Sequence, residues 1–227
     1  MKTGFKRLTS IALALIMVMV MTTITVFADE RSSEGFKPDE NSTWGDVYRY
    51  FKPAEFEAFP EFVQDQLNNT LLEDQSNDTS ASVSTRAADQ ASVTVNNMED
   101  IVFTTGNIYS KEQDNVTGRS IDIKGLTSLH LGASSTKTEI EVSAVLACTI
   151  QCPYLYCSVL IKDPNGTVLG ITSESEYNAA ICSVDDYTFG GLKSNTTYNL
   201  SAVGVITPPD GYFSSGNLVT GMNKATK

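Results

Sequence analysis

In the stretch "TEIEVSAVLACTI", residues 138–150, apolar and polar side chains alternate. Ile140, Val142, Ala144, Leu146, Cys148 and Ile150 share one face, and Glu139, Glu141, Ser143 and Thr149 share the other. A period of two marks a strand with one face buried. "YLYCSVLIKD" repeats it with Leu155, Cys157, Val159 and Ile161 inward, and "DPNG" then supplies turn chemistry before "TVLGIT" continues the hairpin. Shorter runs of the same kind occur at "SVTV", "SIDI", "SLHL" and "YTF". From Ala91 onward turn signals recur about every ten residues, the pattern of a β-sandwich.

Upstream of Ala91 the period changes. In "TWGDVYRYFKPAEFEAFPEFVQDQLNNTLLE" the residues Phe56, Phe59, Val63, Leu67 and Leu71 recur at spacings of three and four, which predicts one apolar stripe on helix. Pro53 and Pro60 stand where helices can begin, so two short helices are expected. Such a stripe must be buried, and the domain downstream is the expected partner. The following "EDQSNDTSASVSTRAADQAS" has Val83 as its only large apolar residue and reads as a linker. At the start of the chain Lys2, Lys6 and Arg7 precede an uncharged, strongly apolar run, and Val26 and Ala28 fit a signal-peptidase site. The expected layout is a signal peptide over 1–28, an acidic helical region over 29–72, a disordered linker over 73–90 and a β domain over 91–227.

An exported chain changes how the cysteines are read. Cys148, Cys152, Cys157 and Cys182 are even in number, and in an oxidising compartment they predict two disulfides, with three connectivities open. A zinc site would need paired Cys spacings with His partners, and the chain has one histidine. Removing the leader takes three basic residues and no acidic one, which leaves 13 Lys plus Arg against 27 Asp plus Glu, a net charge of −14. That balance repels nucleic acid and anionic lipid surfaces, so neither is an expected partner. No membrane insertion is expected after cleavage.

The fragment "GLKSNTTYNLSAVGV" keeps Leu192, Thr196 and Tyr198 at L-x-x-x-T-x-Y spacing, with Leu200 and Ala202 continuing inward behind the tyrosine. It resembles the E–F corner and F strand of fibronectin type III domains, where the tyrosine hydroxyl bonds upstream backbone. The resemblance spans about residues 120 to 227. It implies a mainly β fold, an immunoglobulin-like or fibronectin III-like β-sandwich with a short helical N-terminal extension. In that topology strand B covers about 138 to 150, C 154 to 163, C′ 167 to 173, E 183 to 189, F 196 to 207 and G 216 to 223. The resemblance then gathers all four cysteines at one end, and implies Cys148 with Cys157 and Cys152 with Cys182 as the bridges.

The same end would display Tyr154 and Tyr156 from the B–C loop and Asp210, Tyr212 and Phe213 from the F–G loop "TPPDGYFSSG". Loops at one end of a sandwich commonly carry recognition. These five residues are the candidate binding site, with an unidentified protein or glycan as partner. No catalytic residue, cofactor or metal is expected. His130 alternates with Leu129 and Leu131, which points to a solvent-facing ring or one that satisfies a backbone group. Asp163 and Asn165 read as hairpin turn before calcium loop. The expected function is a secreted or cell-surface interaction module. The alternatives are a secreted carboxylate-based hydrolase, using pairs such as Glu174 with Glu176 or Asp185 with Asp186, and an N-terminal propeptide removed near Arg86.

Overall fold

The computed structural model describes residues 35–72, 98–110 and 123–227. The expected signal peptide, the linker, Arg86 and the "SVTV" run lie outside the described residues.

Prolines partition the helical stretch. α1 (Trp44–Phe51) opens on a capping box, in which the Asp46 N–H donates to Thr43 Oγ1 at 3.2 Å and the Thr43 N–H donates to Asp46 Oδ2 at 2.9 Å. These bonds satisfy donors that a helix start otherwise leaves open. Pro53 occupies the first turn of α2 (Pro53–Ala58), where its missing N–H costs nothing. Phe59, forced to extended backbone by the proline after it, separates α2 from α3 (Glu61–Asn69). Each proline thus starts a helix of its own, and three short helices stand where two were expected.

Among the described residues seven antiparallel strands form one sheet: β1 (Asp100–Ser110), β2 (Ile123–Ser135), β3 (Ile140–Lys162), β4 (Val168–Phe189), β5 (Thr197–Thr207), β6 (Tyr212–Ser214) and β7 (Leu218–Ala225). The hydrogen-bonded order is β6-β1-β2-β3-β5-β7, and β4 pairs with the other edge of β3. The first half of β3 pairs with β2, from Ser135↔Ile140 to Thr127↔Cys148, and its second half pairs with β5, from Tyr154↔Thr207 to Lys162↔Asn199. Two strands in succession on one edge turn the sheet midway, and it curls into a half-barrel. β7 approaches β1 and β2 across the interior.

The expected strand boundaries change accordingly. B and C are one strand, because β4 bridges the break between them and no B–C loop forms. Pro153 falls between the last β2 partner, Cys148, and the first β5 partner, Tyr154, where no neighbour needs its N–H. C′ and E likewise fuse into β4, which absorbs a bulge beside Asp186, in left-handed backbone at φ 46°. β1, "DIVFTTGNIYS", was not expected as a strand. Its apolar residues, Ile101, Val102, Phe103 and Ile108, fall on both faces, so it shows no clean alternation.

The concave interior is filled by Leu129, Leu131, Ile140, Val142, Leu146, Leu155, Val159, Ile161, Leu200 and their neighbours. Gly204 lets β5 come close here, since a Cβ on it would lie 2.8 Å from Leu146 Cδ1. A second apolar cluster lies on the convex face, where Trp44, Val47, Tyr48, Phe56, Val63 and Leu67 of the helices cover Tyr154, Tyr156, Leu160, Ile171, Val203 and Val205. The second half of β3 is therefore buried on both faces, and each large side chain so enclosed contributes about 1.5–3 kcal/mol.

The corner read from the sequence is made. Tyr198 is buried beside Leu192, and its Oη accepts the Lys193 N–H at 2.9 Å. Thr226 Oγ1 accepts the Thr196 N–H at 3.0 Å and donates to the Lys193 carbonyl at 2.7 Å, so the C-terminal residues pin the same turn.

Candidate functional site

The five sequence-derived binding residues separate into two groups. Tyr154 is 4% exposed and Tyr156 fully buried, inside β3 and beneath the helices. Phe62 meets the Tyr154 ring at 5.6 Å, and Phe59 meets the Tyr156 ring at 5.1 Å, both edge-on. Neither tyrosine is displayed on a loop; the helical layer that the sequence left without a defined contact surface takes that face. Beside them Tyr48 Oη donates to Ser158 Oγ at 2.6 Å, and Ser158 Oγ donates to the Thr172 carbonyl at 2.7 Å, a buried chain joining α1 to β3 and β4. Burial pushes the Tyr48 and Tyr156 phenols above the ordinary tyrosine range, so neither titrates near neutral pH.

Asp210, Tyr212 and Phe213 stay at the surface end of the β5–β6 connection and in β6. Asp210 is exposed, Tyr212 packs half-buried against the interior cluster, and Phe213 is 38% exposed with its ring stacked on Tyr109 at 5.2 Å. β6 is held by pairing Ile108↔Ser214 and Ser110↔Tyr212 with β1.

Immediately after Phe213 the chain lines a cleft of about 740 Å³. α3 contributes Asp65, Gln66 and Asn69, Thr70 follows it, β1 contributes Thr104 and Thr105, and the β6–β7 turn contributes Ser214, Ser215, Gly216 and Asn217. The turn is fixed to β1, since the Ser215 N–H donates to the Asn107 carbonyl at 2.9 Å and Ser215 Oγ accepts the Asn107 N–H at 3.1 Å. Gly216, at φ 122°, provides backbone that other residues rarely adopt. The turn is tied to the helical layer by Asn217 Nδ2, which donates to Thr70 Oγ1 at 2.7 Å, and Thr70 Oγ1 passes its own proton to the Gln66 carbonyl at 2.8 Å. Asn217 Oδ1 is buried and has no hydrogen-bond partner among the described residues. A buried amide oxygen left open costs about 1–3 kcal/mol.

Among the described residues Asp65 is the one charged group of the lining; hydroxyls and carboxamides predominate, with Leu218 and Val219 of β7 as its apolar members. Such a surface exchanges hydrogen bonds with neutral polar groups and offers no cationic residue to an anion. The sequence signal for this cleft was partial. "TPPDGYFSSG" reads as a loop, with Asn217 assigned to the strand after it, and Asp65, Gln66 and Asn69 lie off the Val63–Leu67 stripe, but nothing local brings the two together.

The other chemical candidates lie elsewhere. His130 is buried and stacked on Phe103 at 5.2 Å, so it does not face solvent, and neither ring nitrogen has a partner among the described residues. Burial lowers its pKa and keeps the ring neutral. Glu174, Glu176, Asp185 and Asp186 are exposed along β4, away from the cleft lining. The Asp163 carboxylate is engaged within its turn, accepting the Asn165 N–H at 2.8 Å and the Thr167 N–H at 2.9 Å. Among the described residues no three His, Cys, Asp or Glu side chains form a metal-binding group. All four cysteines are buried thiols in the concave interior. Burial pushes Cys182 up to about 12 and Cys157 well above the ordinary thiol range, which leaves neither as a nucleophile.

These features define a mainly β protein, a curled antiparallel half-barrel with a helical layer on its convex face and a polar cleft at one rim. No protein-family model matches the chain, and no curated protein gives a significant match to its sequence.

Proposed function

We propose that this chain is an exported interaction module, secreted or held at the cell surface, that binds a neutral glycan in the cleft between α3, β1 and the β6–β7 turn. The observation that carries the reading is the cleft itself, whose described lining sets the hydroxyls of Thr70, Thr104, Thr105, Ser214 and Ser215 and the carboxamides of Gln66, Asn69 and Asn217 beside one carboxylate, Asp65, and the apolar Leu218 and Val219. A sugar supplies hydroxyl donors at such spacing, and a volume of about 740 Å³ falls in the range of small-ligand sites. The exposed Phe213 ring, stacked on Tyr109 next to the cleft-lining Ser214, offers an apolar platform for the C–H face of a pyranose. The sulfur content and the leader favour export, and the strong negative charge favours a neutral ligand over an anionic one.

The finer fold assignment is part of the same proposal. The Tyr198 corner, with its hydroxyl on backbone five residues upstream, supports a fibronectin III-like ancestry in which B–C and C′–E have merged into continuous strands. The helices belong with the mature protein in this reading, since they cover Tyr156, Val203 and Val205. A carboxylate-pair hydrolase needs two acidic groups facing one bond, and among the described residues Asp65 is the one carboxylate lining the cleft.

Calorimetric titration of the full exported protein with a panel of neutral and acidic polysaccharides tests the reading. Binding to a neutral member is expected, lost at least tenfold in Asn217→Leu and in Thr105→Val, the second of which leaves the Thr70 contact untouched. Wild-type affinity in both variants, or binding confined to acidic polymers, refutes the site.

A further inference from the structure

The strand register sorts the four cysteines into two neighbouring pairs. Between Ala147↔Ile181 and Cys152↔Ala179, β3 advances five residues while β4 advances two, so three extra β3 residues leave the ladder. That detour returns Cys152 to about two strand positions, roughly 7 Å, from Ala147, the residue before Cys148. Cys148 and Cys152 both face the concave core, and Cys152 Sγ lies 3.6 Å from the Ile150 carbonyl oxygen inside the detour. β4 brings the second pair together. Cys157 lies opposite Glu174 in the ladder, and Cys182 Sγ donates to the Glu174 carbonyl at 3.4 Å. Cys182 therefore reaches the position facing Cys157, although its own ladder partner is Leu146.

From this placement we infer that oxidation joins Cys148 to Cys152 and Cys157 to Cys182. The pairing that the fibronectin III resemblance implied, Cys148 with Cys157 and Cys152 with Cys182, crosses both of these pairs. Each bridge forms by exchange with an external disulfide, a small-molecule disulfide or a thiol oxidase of the export compartment. One cysteine thiolate attacks a donor sulfur and forms a mixed disulfide; its neighbour then displaces the second donor sulfur. One S–S bond forms and one breaks, the pair loses two protons and two electrons, and the donor leaves as two thiols. All four side chains are buried, and burial holds Cys157 and Cys182 protonated, so the exchange takes place on the folding chain before the half-barrel closes.

The experiment is crosslink mapping of the exported full-length protein, alkylated in denaturant without reductant and digested with chymotrypsin. Cleavage after Tyr154 and Tyr156 separates Cys152 from Cys157; trypsin does not, because no lysine or arginine lies between Lys137 and Lys162. The expected products are a peptide with Cys148 and Cys152 in one closed ring, two hydrogen atoms lighter than its reduced form, and a Cys157 peptide linked to the Cys182 peptide. A Cys152–Cys182 or Cys148–Cys157 link overturns the inference, as does alkylation of any of the four cysteines. Cys157→Ala provides a second readout: Cys182 is expected to become fully alkylatable while the Cys148–Cys152 ring persists, and a new link from Cys182 to either ring cysteine contradicts the pairing.

Discussion

Replacing Tyr198 with phenylalanine removes one oxygen from the corner and leaves the ring in place. Tyr198 is 3% exposed, so its packing beside Leu192 is retained. What disappears is the acceptor of the Lys193 N–H, held at 2.9 Å. A net hydrogen bond contributes about 0.5–1.5 kcal/mol, and a buried donor left open costs about 1–3 kcal/mol. Lys193 itself is exposed, which lets water recover part of the bond, so the expected cost is about 1 kcal/mol. For a chain of this size that lowers Tm by roughly 2–4 °C. Thr226 acts on the same turn, accepting from Thr196 and donating to the Lys193 carbonyl. Thr226→Val should therefore couple to Tyr198→Phe, because once one tether is gone the freed turn makes the other less effective. Guanidinium denaturation of the wild type, both single variants and the double variant gives the cycle, with m values unchanged if the native state keeps its compactness. Additivity of the two single costs within about 0.3 kcal/mol, or a Tyr198→Phe cost below that figure, refutes the view that the hydroxyl and the C-terminus hold one corner.

Three further outcomes follow from the packing. His130 has a folded pKa lowered by burial, so the unfolded chain binds its proton more readily; its contribution is complete above the unfolded value near 6.5 and declines as pH falls below it, by at most about 1.4 kcal/mol per pH unit. Denaturation midpoints from pH 8 to pH 5 should show this decline in the wild type and a flatter profile in His130→Leu, whereas parallel profiles remove His130 as its source. Gly204→Ala should destabilise by about 1–3 kcal/mol through overpacking against Leu146, and Leu146→Val should restore part of the loss; equal Tm for Gly204→Ala and wild type refutes the close approach. Leu67→Ala, in the fully buried centre of the helical layer, should cost about 2–5 kcal/mol and make Tyr154 and Tyr156 fluorescence sensitive to quenchers, and an unperturbed Tm would mean that the helices do not depend on this contact.

Local pattern carried much of the architecture. The alternation from Ile140 to Cys148 and from Leu155 to Ile161 identified strand and inward face together, because side-chain direction in a strand depends only on parity. The Leu192, Thr196 and Tyr198 spacing identified the corner for a similarly local reason, as the hydroxyl and the backbone N–H that it accepts from lie a few residues apart in one turn. The apolar stripe on the helices said that they must be buried, and the structure supplied the surface. Parity is silent about what covers a face. Tyr154 and Tyr156 occupy the face opposite Leu155 and Cys157, and whether that face meets water or a helix depends on a segment about a hundred residues away. The same limit hid the cleft, whose walls come from α3, β1 and the β6–β7 turn, and the cysteine neighbours, which are set by three extra residues in β3 and by the path of β4. The sequence by itself determined the helical stretch and the inward face of β3 and β5, since those are consequences of bonds and spacing along the chain, but neither β1 nor the continuity of β3 and β4. The tertiary structure alone decided which buried faces meet, because that choice depends on sheet curvature and on the long-range pairing of β3 with three strands, β2, β4 and β5, none of which has a local signature.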